Sequence, residues 1–177
     1  MSARQTRNIA ASVRQRLLNR ARNDKRPFNE LLQYFAMERF LYRLSKSEHA
    51  ERYILKGALM FRVWSPSQAS TRLRPTMDID LLGWTSNEES SVIAQIKDVI
   101  SIDTELDGLI FDPDSILAER ITEDADYEGI RARFTGSLDN ARIHMQIDIG
   151  FGDIVQSTQY QGAYYRSHAV YPAVPGS

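Results

Sequence analysis

The sequence predicts an α/β (α+β) domain, with helices packed on a sheet behind an N-terminal helical lead. Three patterns carry that reading. Ile9, Val13, Leu17 and Ala21 recur at every fourth position, with Arg7, Arg14, Arg16, Arg20 and Arg22 mostly around the remaining faces, the spacing of an amphipathic helix over residues 6–23. Met77-Asp78-Ile79-Asp80-Leu81 alternates apolar and acidic side chains with the period of a strand. Residues 128–135 and 142–149 alternate in the same way on either side of Gly136-Ser137-Leu138-Asp139-Asn140, which reads as a hairpin loop.

The remaining elements follow in order. Pro27 interrupts the first pattern and suits the first turn of a second helix over residues 28–44. That helix is apolar on more than one side (Phe28, Leu31, Leu32, Phe35, Met37, Phe40, Leu41, Leu44), as expected of a helix between two layers. Residues 45–50 read as a loop, and residues 52–56 as a short buried strand running into Gly57-Ala58 and a helix-like stretch, 59–64. Residues 65–74 read as a polar loop, and residues 76–82 as a strand expected to turn Met77, Ile79 and Leu81 into the core. Thr85-Ser86-Asn87-Glu88-Glu89 holds two overlapping capping boxes, opening a helix with Val92, Ile93, Ile96, Val99 and Ile100 inward. Within the acidic stretch 103–126, residues 116–121 are the candidate strand. In the hairpin, Ile143, Met145, Ile147 and Ile149 point inward, and Arg142, His144, Gln146 and Asp148 outward. From Phe151 onward no element is signalled.

At 177 residues, with 42% hydrophobic and 25% charged residues, the chain suits one ordinary domain with a real core. Having no cysteine, it has no disulfide framework, thiol nucleophile or zinc-thiolate site. No run of about 18 apolar residues and no apolar leader segment occurs, so neither a membrane span nor secretion is indicated, and a cytoplasmic setting is expected. The net charge of −1 hides an asymmetry: residues 1–74 hold 16 Lys and Arg against 5 Asp and Glu, and residues 75–153 hold 5 against 18. Either the halves neutralise each other on the folded surface, or the basic half binds a polyanion.

The chemistry concentrates on three aspartates. In a strand Asp78 and Asp80 project from one face, and two like charges that close stay ionised only with a cation between them. A divalent metal is the simplest such cation; Mg²⁺ takes a carboxylate or two plus substrate phosphates. Asp78 and Asp80 are therefore expected to hold Mg²⁺ against a nucleoside triphosphate (NTP). Asp148 would complete a two-metal site or activate the attacking hydroxyl. The turn Lys56-Gly57-Ala58 leads from a strand towards a helix, where Gly57 lets backbone approach phosphate and the helix N-terminus offers oriented N–H donors. Lys56, Arg74 and Thr76 are placed to steady a triphosphate.

Tyr53-Ile54-Leu55-Lys56-Gly57-Ala58-Leu59, Arg74-Pro75-Thr76-Met77-Asp78-Ile79-Asp80-Leu81-Leu82, and Tyr127-Glu128-Gly129-Ile130-Arg131 leading to Gln146-Ile147-Asp148-Ile149-Gly150-Phe151-Gly152-Asp153 carry a more specific pattern. With the lead-in from Arg26-Pro27-Phe28, the chain resembles the AbiEii-type nucleotidyltransferase toxins of the polymerase-beta-like superfamily over most of residues 26–153. The resemblance implies a nucleotidyltransferase fold with a mixed, mostly antiparallel sheet. It also implies Mg²⁺-dependent transfer of a nucleotide (Mn²⁺ being the alternative ion) from an NTP to an acceptor hydroxyl, in some members that of tRNA. The expected partners are an RNA acceptor and a cognate antitoxin in a type IV system. The expected organisation is a helical lead (1–50), a nucleotidyltransferase core (51–155) and an irregular tail (156–177). The chain departs from the pattern twice. Gly57-Ala58 stands where the superfamily usually has Gly-Gly or Gly-Ser, and nothing after Asp153 resembles the family's lysine-bearing helical half, which the chain is expected to lack.

Two rival functions share these residues: a catalytically silent module that binds NTP, RNA or antitoxin, and a nucleotidyltransferase acting on a small molecule. Smaller features have plain structural readings beside functional ones. Asp153 caps a turn or assists the metals; His144 is a solvated strand residue or a substrate contact; the N-terminal arginines are a solvated helix face or an RNA grip; Trp64 and Trp84 are core or rim residues.

Overall fold

The computed structural model describes residues 3–57, 77–104, 106–122 and 128–151. Three helices, α1 (Ala3–Asn23), α2 (Phe28–Lys46) and α3 (Glu89–Ile100), cover one face of five strands: β1 (Tyr53–Lys56), β2 (Ile79–Gly83), β3 (Leu109–Thr122), β4 (Glu128–Leu138) and β5 (Ala141–Phe151). A short 3₁₀ turn, Ala50–Arg52, leads from α2 into β1.

The strand order is β1-β2-β5-β4-β3. Among the described strands only β2 and β5 run parallel and the other neighbours are antiparallel, so the sheet is mixed and mostly antiparallel, as expected. Ile79, Leu81, Ile130, Ala132, Phe134, Ile143, Met145, Ile147 and Ile149 are buried on the helical side. Ala10, Val13 and Leu17 of α1 join them in one core, and Ala21 one turn on is also buried. At its centre Phe134 meets Phe40 of α2 at 5.7 Å and Phe111 of β3 at 5.5 Å, geometries favourable for aromatic pairs.

Several local expectations are corrected. β2 begins at Ile79, and Asp78 stands at a bend before it, so the alternation does not extend back to Met77, which is 43% exposed instead of turned into the core. The capping boxes do not form: α3 starts after Glu88, with no side-chain cap. Ser86 Oγ accepts the Glu88 N–H at 3.3 Å and Thr85 Oγ1 accepts Gln95 Nε2–H at 3.0 Å, which withdraws both hydroxyls from a capping role. α2 continues through Lys46 into what was expected to be loop. β3 is longer than residues 116–121 because an irregularity between Asp112 and Leu117 accommodates Pro113 on this edge strand. β4 runs on through Gly136, Ser137 and Leu138, leaving Asp139 and Asn140 as the turn, with Asp139 at φ 54°.

The charge asymmetry is met partly inside the fold. Arg39 Nε lies 2.7 Å and Arg43 Nη1 3.1 Å from Asp107 Oδ2, tying the basic helix α2 to the segment before β3. Glu38 sits beside this cluster with Oε2 buried and unpartnered among the described residues. Burial raises its carboxyl from 4.5 to about 6, with Arg39 opposing and Asp107 adding to the rise. A folded pKa above the unfolded one means that this group favours the folded state fully below pH 4.5 and loses that contribution as pH rises through about 6. Glu38→Gln is expected to stabilise the protein at pH 7.5 by up to about 2 kcal/mol and to be neutral at pH 4. Urea denaturation of both proteins across that pH range checks it; a difference independent of pH would refute the assignment.

Candidate active site

The polar face of the sheet carries one row of charges across all five strands. Lys56 lies opposite Asp80, Asp80 beside Asp148, Asp148 opposite Arg131, and Arg131 opposite Glu119. Paired residues on adjacent strands point to the same face, so the row reads plus, minus, minus, plus, minus. Arg131 holds Asp148 with a two-pronged fork, Nε–H to Oδ1 at 2.8 Å and Nη2–H to Oδ2 at 2.7 Å. One position over, Arg133 donates to Glu119 Oε1 at 2.6 Å and to Gln146 Oε1 at 3.2 Å.

Asp78, at the bend before β2, faces the same group. Its carboxyl is raised by burial first and by the charge of Asp148 second, with Arg131 and Arg133 pulling the other way. Arg131 holds its proton more firmly than usual, chiefly through its hydrogen bonds to Asp148. Asp148 is itself buried, which makes the Arg131 fork its principal charge compensation among the described residues.

Gly57 borders the row at the end of β1. Its φ of +72° is the left-handed conformation that glycine adopts readily, and a Cβ there would collide with Asp80 Oδ2. The glycine is therefore required twice, by its backbone and by the carboxylate against it. Of the expected site residues, Lys56, Gly57, Asp78, Asp80 and Asp148 are thus brought to one end of the sheet face. Ala58, Arg74 and Thr76 lie outside the described residues, as do Trp64 and Asp153. His144 is exposed on the polar face of β5, and Trp84 is exposed after β2.

The donor set fits a hard divalent cation: three carboxylates, oxygen only, with the Asp78 carboxyl raised by burial and then by the charge of Asp148. A separate group, Glu48, His49 and Asp98, brings its ligand atoms within 4.8 Å of one another at the opposite end of β1. There His49 Nε2 lies 3.1 Å from Asp98 Oδ2, joining the turn after α2 to α3. Exposed acids in such groups are common without an ion, and this one is remote from the row.

Arg131 closes one of the motif segments in the sequence, but neither it nor Arg133 nor Glu119 is assigned a site role there. A five-residue hairpin loop hides the register; the two-residue turn at Asp139-Asn140 places Arg131 opposite Asp148 directly.

A family model for the AbiEii nucleotidyl transferase toxin of type IV toxin–antitoxin systems matches residues 39–169. The chain belongs to the AbiEii family. The match runs from the middle of α2 through β5 and so contains the whole charged row. No curated relative matches the chain. AbiEii membership implies a nucleotidyltransferase toxin, with a nucleotide substrate, a divalent metal and an antitoxin partner. No described helix is long and apolar enough to cross a membrane.

Removing the partner of a buried carboxylate strands its charge, whereas an exposed pair contributes little. Arg131→Met is expected to destabilise the protein by about 2 kcal/mol, and Arg133→Met, whose side chain is 50% exposed, by less than about 1 kcal/mol. Equal losses in urea denaturation would argue against Arg131 as the counter-charge of Asp148.

Proposed function

We propose that this AbiEii chain is a Mg²⁺-dependent enzyme that transfers a nucleotide from an NTP to an acceptor hydroxyl on RNA, with tRNA the first candidate. The observation that carries the reading is the meeting of Asp78, Asp80 and Asp148 on one sheet face beside Gly57. These carboxylates would hold Mg²⁺, or Mn²⁺ in its place, which when bound supplies charge neutralisation to the triphosphate and its pyrophosphate leaving group. Gly57 keeps the space beside Asp80 clear, and Lys56, opposite Asp80, adds positive charge at the same end of the face. Arg74, Thr76 and the backbone at Ala58 are proposed to steady the phosphates.

The fork from Arg131 bears on the two roles open to Asp148. A carboxylate fixed by two short, charge-assisted hydrogen bonds is oriented as a metal ligand needs to be, which supports metal ligation over proton abstraction from the acceptor. The acceptor reading rests on charge. Arg16, Arg20 and Arg22 are exposed on α1, Arg20 beside Asp24, and add the positive charge that a phosphate backbone attracts. The proposed organisation is a helical lead over residues 1–50, a catalytic core over 51–155 and a tail over 156–177. A cytoplasmic setting, shared with RNA and an antitoxin, accompanies that reading.

Asp80→Asn is expected to abolish transfer of label from α-³²P-NTP to cellular RNA while leaving the circular dichroism spectrum unchanged. Undiminished labelling by the folded variant would overturn the proposal. Label found only in small molecules would replace RNA as the acceptor class.

A further inference from the structure

Gln33 lies on α2, 8% exposed, among neighbours that are mostly apolar. Its Nε2 donates to the His144 carbonyl at 2.9 Å and to the Met77 carbonyl at 3.3 Å, with Met145 Sδ at 3.9 Å. The backbone ladder between β2 and β5 starts only at Ile79 and Ile147. Both carbonyls lie before that start, so one buried side chain continues the joining of these strands where main-chain pairing has not yet begun.

The Met77 carbonyl belongs to the peptide that enters Asp78. A peptide unit is planar, so restraining its oxygen restrains the plane from which the Asp78 Cα departs. Asp78 has no ladder position of its own, and Met77 beside it is exposed. A core that needed only volume at position 33 would be served by Leu or Met; a buried amide is costly unless its N–H groups are bonded. Here the amide bonds the His144 carbonyl in β5 and the Met77 carbonyl just before β2, the two segments that lead to the candidate metal ligands.

We propose that Gln33 is a positioning residue for Asp78, making the N-terminal helical lead a working part of the candidate active site. The inference rests on the metal-site reading above and concerns only how Asp78 is held. Mn²⁺ binding to the full chain, followed by the loss of the free-ion signal in electron paramagnetic resonance, tests it without turnover. Asp80→Asn identifies the signal that belongs to this site. Gln33→Met is expected to raise the Mn²⁺ Kd about 10-fold, in the range typical of outer partners of metal ligands, at a temperature where its circular dichroism matches that of the unaltered protein. Gln33→Asn, which keeps an amide but draws it back by one methylene, is the milder variant should Gln33→Met not fold, and is expected to weaken binding in the same direction. An unaltered Kd in a folded variant overturns the positioning role alone, even if Tm falls. No Mn²⁺ binding by the unaltered protein, or binding that survives Asp80→Asn, overturns the metal reading and the inference with it.

Discussion

The Arg131–Asp148 fork is the interaction on which the polar face depends. β5 is the central strand, flanked by β2 and β4, and Asp148 lies near its C-terminal end, buried between Asp80 on one side and Arg131 on the other. Without a cation at that spot, Asp78, Asp80 and Asp148 would place three like charges close together with nothing to offset their repulsion. The guanidinium answers that demand with two short, charge-assisted hydrogen bonds. It also fixes the orientation of the Asp148 carboxylate, which a metal ligand needs and a solvated strand aspartate would not have.

The helical face supplies the rigidity behind that arrangement. The side chains alternating with the charged row, among them Ile79, Ile130, Ala132, Ile147 and Ile149, are almost wholly buried. A slip of one residue between β2 and β5 would exchange those apolar chains for Asp80 and Asp148, so burial on one face fixes the meeting of carboxylates on the other. Gly57 adds a steric condition to the electrostatic one. Asp80 can lie against β1 only because no Cβ occupies the same space.

Much of this was legible in the sequence, and the failures have physical causes. Alternation of Ile143, Met145, Ile147 and Ile149 identified β5 and the outward face of Asp148, because a half-buried strand requires it. The same logic failed at Met77, where the ladder had ended and period two no longer applied. Thr85 and Ser86 fitted a capping box by residue type, yet Gln95 and the Glu88 N–H took their hydroxyls. Gly136 looked like a loop signal but lies in β4, where a Cβ would press on the Phe111 ring. That misplacement of the turn obscured Arg131. The role of Gln33 was illegible for a different reason: its partners are carbonyls at positions 77 and 144, and side-chain bonds to distant backbone leave no local pattern.

The parallel pairing of β2 with β5 sets the order in which the candidate centre can be assembled. β3, β4 and β5 follow one another as antiparallel neighbours, so they can form from contacts near in sequence, whereas β2 must wait for β5 before Asp80 finds Asp148. On a ribosome making the chain from its N-terminus, α1, α2, β1 and β2 emerge with no β5 to receive them. The three carboxylates therefore come together only after residue 148 has left the exit tunnel, so a growing chain of this toxin family carries no assembled centre until then.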